Sequence, residues 1–160
     1  MIVGDPNRLA IGWDFIPAWN LGKSYPMEGV FYLIIDAQIV GRGTFASVDI
    51  SRNIKNILDK KKWHAKQSGA LFLDGKPEMI YADLYNYTYN QGNLEDAWEY
   101  RAEPEAISDL GGSMFLVKDY AANQEVLYFG VGSEYQGGVN LAIDEYINLA
   151  GLALGKLRAC

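Results

Sequence analysis

Two runs of strand-forming residues, 114–120 and 125–131, are separated only by Ala121, Ala122, Asn123 and Gln124. Both are crowded with β-branched and aromatic side chains, and so short a link cannot carry a parallel crossover, so the two must pair antiparallel as a hairpin. That pairing commits the chain to a sheet. A second hairpin is legible near the N-terminus. Residues 8–16 alternate Leu9, Ile11, Trp13 and Phe15 against Ala10, Gly12, Asp14 and Ile16, which predicts a strand with one large apolar face, stopped by Pro17. After a loop rich in turn formers, residues 30–35 form a nearly continuous apolar run. Asp36, Ala37 and Gln38 then turn the chain into a short third strand at Ile39 and Val40, closed by Gly41 and Gly43.

Helical periodicity appears in three places. After a short extended segment at 44–48, Ile50, Ile54, Ile57 and Leu58 fall on one helical face, with Asp49 or Ser51 as the cap. Pro77 suits the first turn of a helix over 78–89 with Ile80, Leu84 and Tyr87 aligned, although Tyr85, Tyr87 and Tyr89 equally fit the alternation of a strand. The third and longest helix spans 140–157, where Ile143, Ile147, Ala150, Leu154 and Leu157 step by four and three. Between these lie a short strand at 98–102 before Pro104, a helical turn at 105–110 ended by Gly111 and Gly112, and a glycine-rich loop at 132–138. That loop lacks the lysine and hydroxyl residue that follow a phosphate-cradling turn. The expected architecture is a single α+β domain over residues 1–160, a mainly antiparallel sheet packed against the C-terminal helix and one or two further helices.

At 160 residues the chain is long enough to bury a self-sufficient core. Its one cysteine, Cys160, leaves no internal disulfide, and the N-terminus lacks the basic and apolar regions of a signal peptide. No apolar run reaches membrane-spanning length, so a cytoplasmic protein is expected. A pI near 4.7 disfavours nucleic acid and anionic membranes as partners and favours basic proteins.

Charge is unevenly placed. Between 74 and 109 nine acidic residues face only Lys76 and Arg101, a formal −7 against −6 for the whole chain. From 51 to 66, six basic residues oppose only Asp59, which reads as a helix end favouring its dipole and balancing the acids elsewhere, with a basic contact patch as the alternative. Aromatic residues interleave with the acids, so Asp83, Tyr85, Tyr87, Glu95, Asp96, Trp98, Glu99, Glu103 and Glu105 form a candidate partner-binding set: rim charges speed encounter and aromatic anchors supply affinity.

Chemistry finds little support. The single histidine, His64, sits among Lys61, Lys62, Trp63 and Lys66 and reads as an exposed helix end, so no triad can be assembled without it. No metal-ligand spacing or EF-hand pattern is present, and neither catalytic residues nor a cofactor are expected. Glu103 and Glu105, beside Trp98 and Tyr100, are the carboxylate pair that a small acid-base or carbohydrate-active enzyme would use. A structural homo-oligomer, a homodimer for instance, sharing the C-terminal helix is the remaining alternative.

The residues from Met1 to Ile11, Trp13 to Asn20, Gly29 to Ile35 and Val48 to Ser51 resemble the opening of immunity protein family 42, from bacterial polymorphic-toxin and contact-dependent growth inhibition systems. The likeness continues through the helix after Pro77, the 114–131 hairpin and the C-terminal helix. It departs at Asp36-Ala37-Gln38, where an Asn-Gly type turn is the pattern. The resemblance implies a small cytoplasmic protein that binds and neutralises a cognate toxin C-terminal domain, commonly a nuclease. It supplies no catalytic residues, and the acidic-aromatic set rests on charge alone.

Overall fold

A computed structural model describes residues 1–22, 28–40, 46–67, 74–90 and 98–159, with 46–48 described by their backbone. Gly41, Gly43, Thr44, Glu95 and Asp96 lie outside the described residues. The strands are antiparallel as expected, but they divide between two sheets.

The first sheet is built on β2 (Leu9–Phe15) and β3 (Glu28–Ile35), flanked by β1 (Ile2–Asp5), β4 (Gln38–Ile39) and β5 (Ala46–Asp49). Cross-strand partners Leu9 and Ile35, Ile11 and Leu33, and Trp13 and Phe31 put one face of β2 and β3 wholly into the main core. The alternation read from the sequence is thus the burial pattern, with Ala10, Tyr32 and Ile34 on the opposite face. A Cβ at Gly12 would fall 2.1 Å from the Tyr32 ring, so that glycine lets the ring lie flat on β2.

The two-residue turn after β3 holds Asp36 and Ala37 at φ +51° and +60°, both left-handed, matching the turn type that suits a twisted hairpin. Its backbone is tied down elsewhere: Asp36 N–H donates to the Arg8 carbonyl and Ala37 N–H to that of Pro6.

The second sheet pairs β6 (Gly112–Asp119), β7 (Gln124–Val131) and β8 (Glu134–Ala142). β8 replaces both the expected loop at 132–138 and the start of the expected helix. Gly137 stands under the Phe129 ring, where a Cβ would come within 2.8 Å, so the glycines there admit aromatic neighbours across the sheet and do not mark a loop. Asn140, Leu141 and Ala142 pair with Val126, Glu125 and Gln124, and the chain turns only at Asp144, whose φ is +63°.

Helix α1 (Ile50–Asp59) is capped by Asp49, whose carboxylate accepts the Arg52 N–H at 2.9 Å. Its buried isoleucines 50, 54 and 57 contribute about 2 kcal/mol each to the main core. A short α2 (Lys61–His64) follows, then α3 (Pro77–Tyr89), α4 (Glu105–Asp109) and α5 (Glu145–Arg158). The ambiguous tyrosine run is helical: Tyr81, Tyr85 and Tyr89 form a ladder of rings 6.4 and 4.8 Å apart along α3.

Helices α1 and α5 and the inner faces of both sheets share the main core. Helix α3 covers the outer face of the second sheet through Ile80, Tyr81 and Leu84 against Phe115, Val117 and Tyr128. Buried on both faces, this sheet needs apolar residues at nearly every position, which is why 114–117 read as a continuous run. The N-terminus of α5 is served by the buried Glu125, whose carboxylate accepts N–H groups of Asp144 (3.1 Å) and Tyr146 (3.3 Å).

Candidate functional site

Asn53, Ile57, Lys60, His64 and Gln67 step by four and three along α1, α2 and the turn beyond, and all five are buried. This stripe is polar except at Ile57, and its Asn53, His64 and Gln67 grip the chain between Glu99 and Lys118. Asn53 Oδ1 accepts the Ala106 N–H at 2.8 Å, which serves the first turn of α4. His64 Nε2 donates to the Arg101 carbonyl at 2.9 Å. Gln67 donates to the carbonyls of Glu99 (2.6 Å) and Leu116 (2.7 Å) and accepts the Lys118 N–H (2.9 Å). Its amide extends the pairing of Tyr100 and Ala102 with β6, where a further strand residue would stand.

His64 is therefore no exposed helix end. It is 0% exposed, and burial pushes its pKa down to about 4, so the ring is neutral with its proton on Nε2. The lysines around it made the segment look solvated. The helical period turns His64 inward while Lys61, Lys62 and Lys66 turn out.

The acidic-aromatic set is dispersed by the fold. Asp83 is exposed on α3, on the same side as Tyr87 one turn later, and the Tyr87 ring meets Tyr100 edge-on at 6.2 Å. Tyr85 is half-buried in the tyrosine ladder. Glu99 is half-buried. Glu105, on α4, pairs with Arg52 at 2.9 Å. Glu103 is only 1% exposed, and its carboxylate accepts Arg101 Nε at 2.6 Å, the Tyr89 hydroxyl at 3.2 Å and the Met114 N–H at 3.3 Å. Burial, reinforced by Glu103, pushes Tyr89 up to about 12, which keeps it protonated as the donor. The two glutamates that an acid-base enzyme would need are thus each committed to a cation.

Trp98 is 39% exposed, and its neighbours are basic. The Arg101 guanidinium lies 4.9 Å from its ring centre, the Lys60 ammonium 5.6 Å, and the Trp63 ring 6.4 Å. Trp63 in turn carries Lys66 at 4.4 Å and Lys62 at 5.4 Å. Beside Trp98 opens a groove of about 310 Å³, lined by Lys60, Arg101 and Glu103 within and Arg52, Glu105 and Asp109 toward its mouth. Lys60 was read from the sequence only as part of a basic run, and Arg101 was not singled out. The signal for Lys60 was the four-and-three spacing of residues 53, 57, 60, 64 and 67, which continues the helical stripe past the point where hydrophobicity stops reporting it, while nothing in the spacing marked Arg101.

Among the described residues no group of histidine, cysteine or carboxylate side chains is placed to hold a metal. No helix is long and apolar enough to cross a membrane.

A family model described as Immunity protein 42 matches residues 1–151. The chain belongs to this family. It is an immunity protein that neutralises a toxin by means of a protein–protein contact. The fold of the immunity protein is similar to the crystal structure of CdiI from Burkholderia dolosa AUO158, with a TM-score of 0.74 at 20% identity. The likeness covers 98% of this chain and 99% of that one. At that identity it speaks for the fold. No curated protein matches the sequence.

Proposed function

We propose that the immunity protein acts as a stoichiometric cytoplasmic inhibitor without turnover, covering a basic surface of its toxin, the substrate-binding face of a nuclease domain, with the region around Trp98. The observation that carries this reading is Trp98 itself, a large aromatic left partly open yet fixed by Trp63 and Arg101. Preorganised aromatics of this kind serve as interface anchors because little conformational freedom remains to be lost on binding. Glu105, which lines the groove beside Trp98, and Glu99, next to Trp98 in the chain, supply negative charge there, while Asp83, Tyr85 and Tyr87 on α3 extend the proposed face through the contact of Tyr87 with Tyr100. The engagement of Glu103 and Glu105 by Arg101 and Arg52 supports an inhibitor over an acid-base enzyme.

Binding of the purified toxin domain tests this. Reversing charge at Asp83, Glu99 and Glu105 together is expected to weaken binding about tenfold or more at low salt and to flatten its salt dependence. Unchanged affinity in a folded triple variant sinks the proposed face.

A further inference from the structure

The buried stripe of α1 and α2 contains one residue that does not hold the 99–118 chain. Asn53, His64 and Gln67 each bond to it, while the Lys60 ammonium makes neither an ion pair nor a hydrogen bond among the described residues and rests 5.6 Å from the Trp98 ring centre. We propose that the groove beside Trp98 receives a carboxylate side chain of the toxin, with Lys60 as its counter-ion. This rests on the reading of the Trp98 region as the docking face and names what enters it.

Lys60 is 5% exposed, whereas Arg52, Lys55, Lys61, Lys62 and Lys66 are all exposed. The Lys60 stem is thus buried while its ammonium opens to the groove, and among the described residues no carboxylate pairs with it; an ammonium held part-buried in this way is favoured where a ligand or partner supplies the opposite charge. Among the described residues the acid that acts on it, Glu103, is already occupied by Arg101, Tyr89 and the Met114 N–H. Burial pushes the Lys60 ammonium below its ordinary value, Glu103 restores part of the loss, and Arg101 lowers it further. An incoming carboxylate completes the site.

The walls suit a side chain better than a free polyanion. Trp98 offers an apolar flank for the methylene stem of an aspartate or glutamate. Glu105 and Asp109 at the mouth, in a chain of net charge −6, repel phosphate-rich ligands but meet the basic surface that surrounds the toxin's carboxylate. A larger hollow of about 370 Å³ along the outer side of α1, lined by Asp49, Arg52, Lys55 and Asp59, has neither an aromatic wall nor a buried unpaired charge.

The test is a double-mutant cycle on the purified complex. Lys60→Met keeps the stem and removes the charge. It is expected to leave thermal stability unchanged or raised and to weaken toxin binding about tenfold or more, chiefly through faster dissociation. Amide substitution of the toxin's Asp and Glu residues one at a time should find one whose loss matches that of Lys60→Met and does not add to it. This arm leaves the immunity protein intact and holds even if Lys60→Met folds poorly. Three results overturn the proposal: wild-type affinity in folded Lys60→Met, the absence of any toxin carboxylate coupled to Lys60, or binding of inorganic phosphate that needs Lys60 while the toxin does not. If the Asp83, Glu99 and Glu105 triple variant still loses affinity in the first case, the docking face stands and only the carboxylate site falls. If neither variant loses affinity, the docking face falls as well.

Discussion

His64 Nε2 lies 2.9 Å from the carbonyl oxygen of Arg101, a bond the ring makes as a neutral donor at zero exposure. Burial holds its pKa near 4 against the opposing effect of the Arg101 hydrogen bond, with the nearby charges of Lys118 and Lys60 acting in the direction of burial and Asp144 against it. In the unfolded chain the ring takes a proton near pH 6.5, while the folded protein refuses it until about pH 4. A lowered folded pKa on a base means stability present above pH 6.5 and lost as pH falls toward 4, by about 3 kcal/mol in full. Denaturant melts at pH 7 and pH 4.5 should show this loss. In His64→Gln, which keeps a donor for the Arg101 carbonyl without the titration, the pH dependence should flatten.

Gln67 satisfies three backbone groups at once. Gln67→Ala leaves the Lys118 N–H and the Leu116 carbonyl without a partner in the interior, and each such orphan costs about 1–3 kcal/mol. A loss of about 3 kcal/mol in urea unfolding is expected. A loss under 1 kcal/mol shows that the amide does not act as a surrogate strand residue.

Ala37 adopts φ +60° without the freedom of glycine. A left-handed L-residue costs about 1 kcal/mol or more, so Ala37→Gly should stabilise the protein by roughly 1 kcal/mol, less the added entropy of the unfolded chain. A lowered melting temperature contradicts this.

Glu103 and Arg101 form a largely buried pair whose removal from one side strands the other charge. Glu103→Leu is expected to destabilise the fold by about 3 kcal/mol, and adding Arg101→Met should recover a large part of that loss. Equal instability in the single and double variants indicates that the hydrogen bonds to Tyr89 and Met114 carry the energy.

The strands and helices with one apolar face were legible because period two or 3.6 in hydrophobicity is itself the signature of burial. Leu9, Ile11 and Trp13 faced the core as read, and Ile50, Ile54 and Ile57 did so with Asp49 as cap. The 114–131 hairpin followed from chain connectivity. The helical tyrosine run on α3 was decided by packing, since Ile80 and Leu84 found an apolar sheet face to cover and the alternating tyrosines had no strand to pair with. β8 was missed because glycine next to an aromatic across a sheet has the same composition as a loop.

By itself the sequence determined the α+β class, the antiparallel pairing and the family, all written in local patterns. Tertiary structure alone decided which charged and polar residues are buried. Whether a charged residue is solvated or buried depends on what faces it from far along the chain: Lys60, His64 and Gln67 lie inside because 99–118 folds over them, and Trp98 stands among cations although its sequence neighbours are acids. Net charge adds up along the chain, but electrostatic contact falls off with distance through space, and only the fold sets those distances.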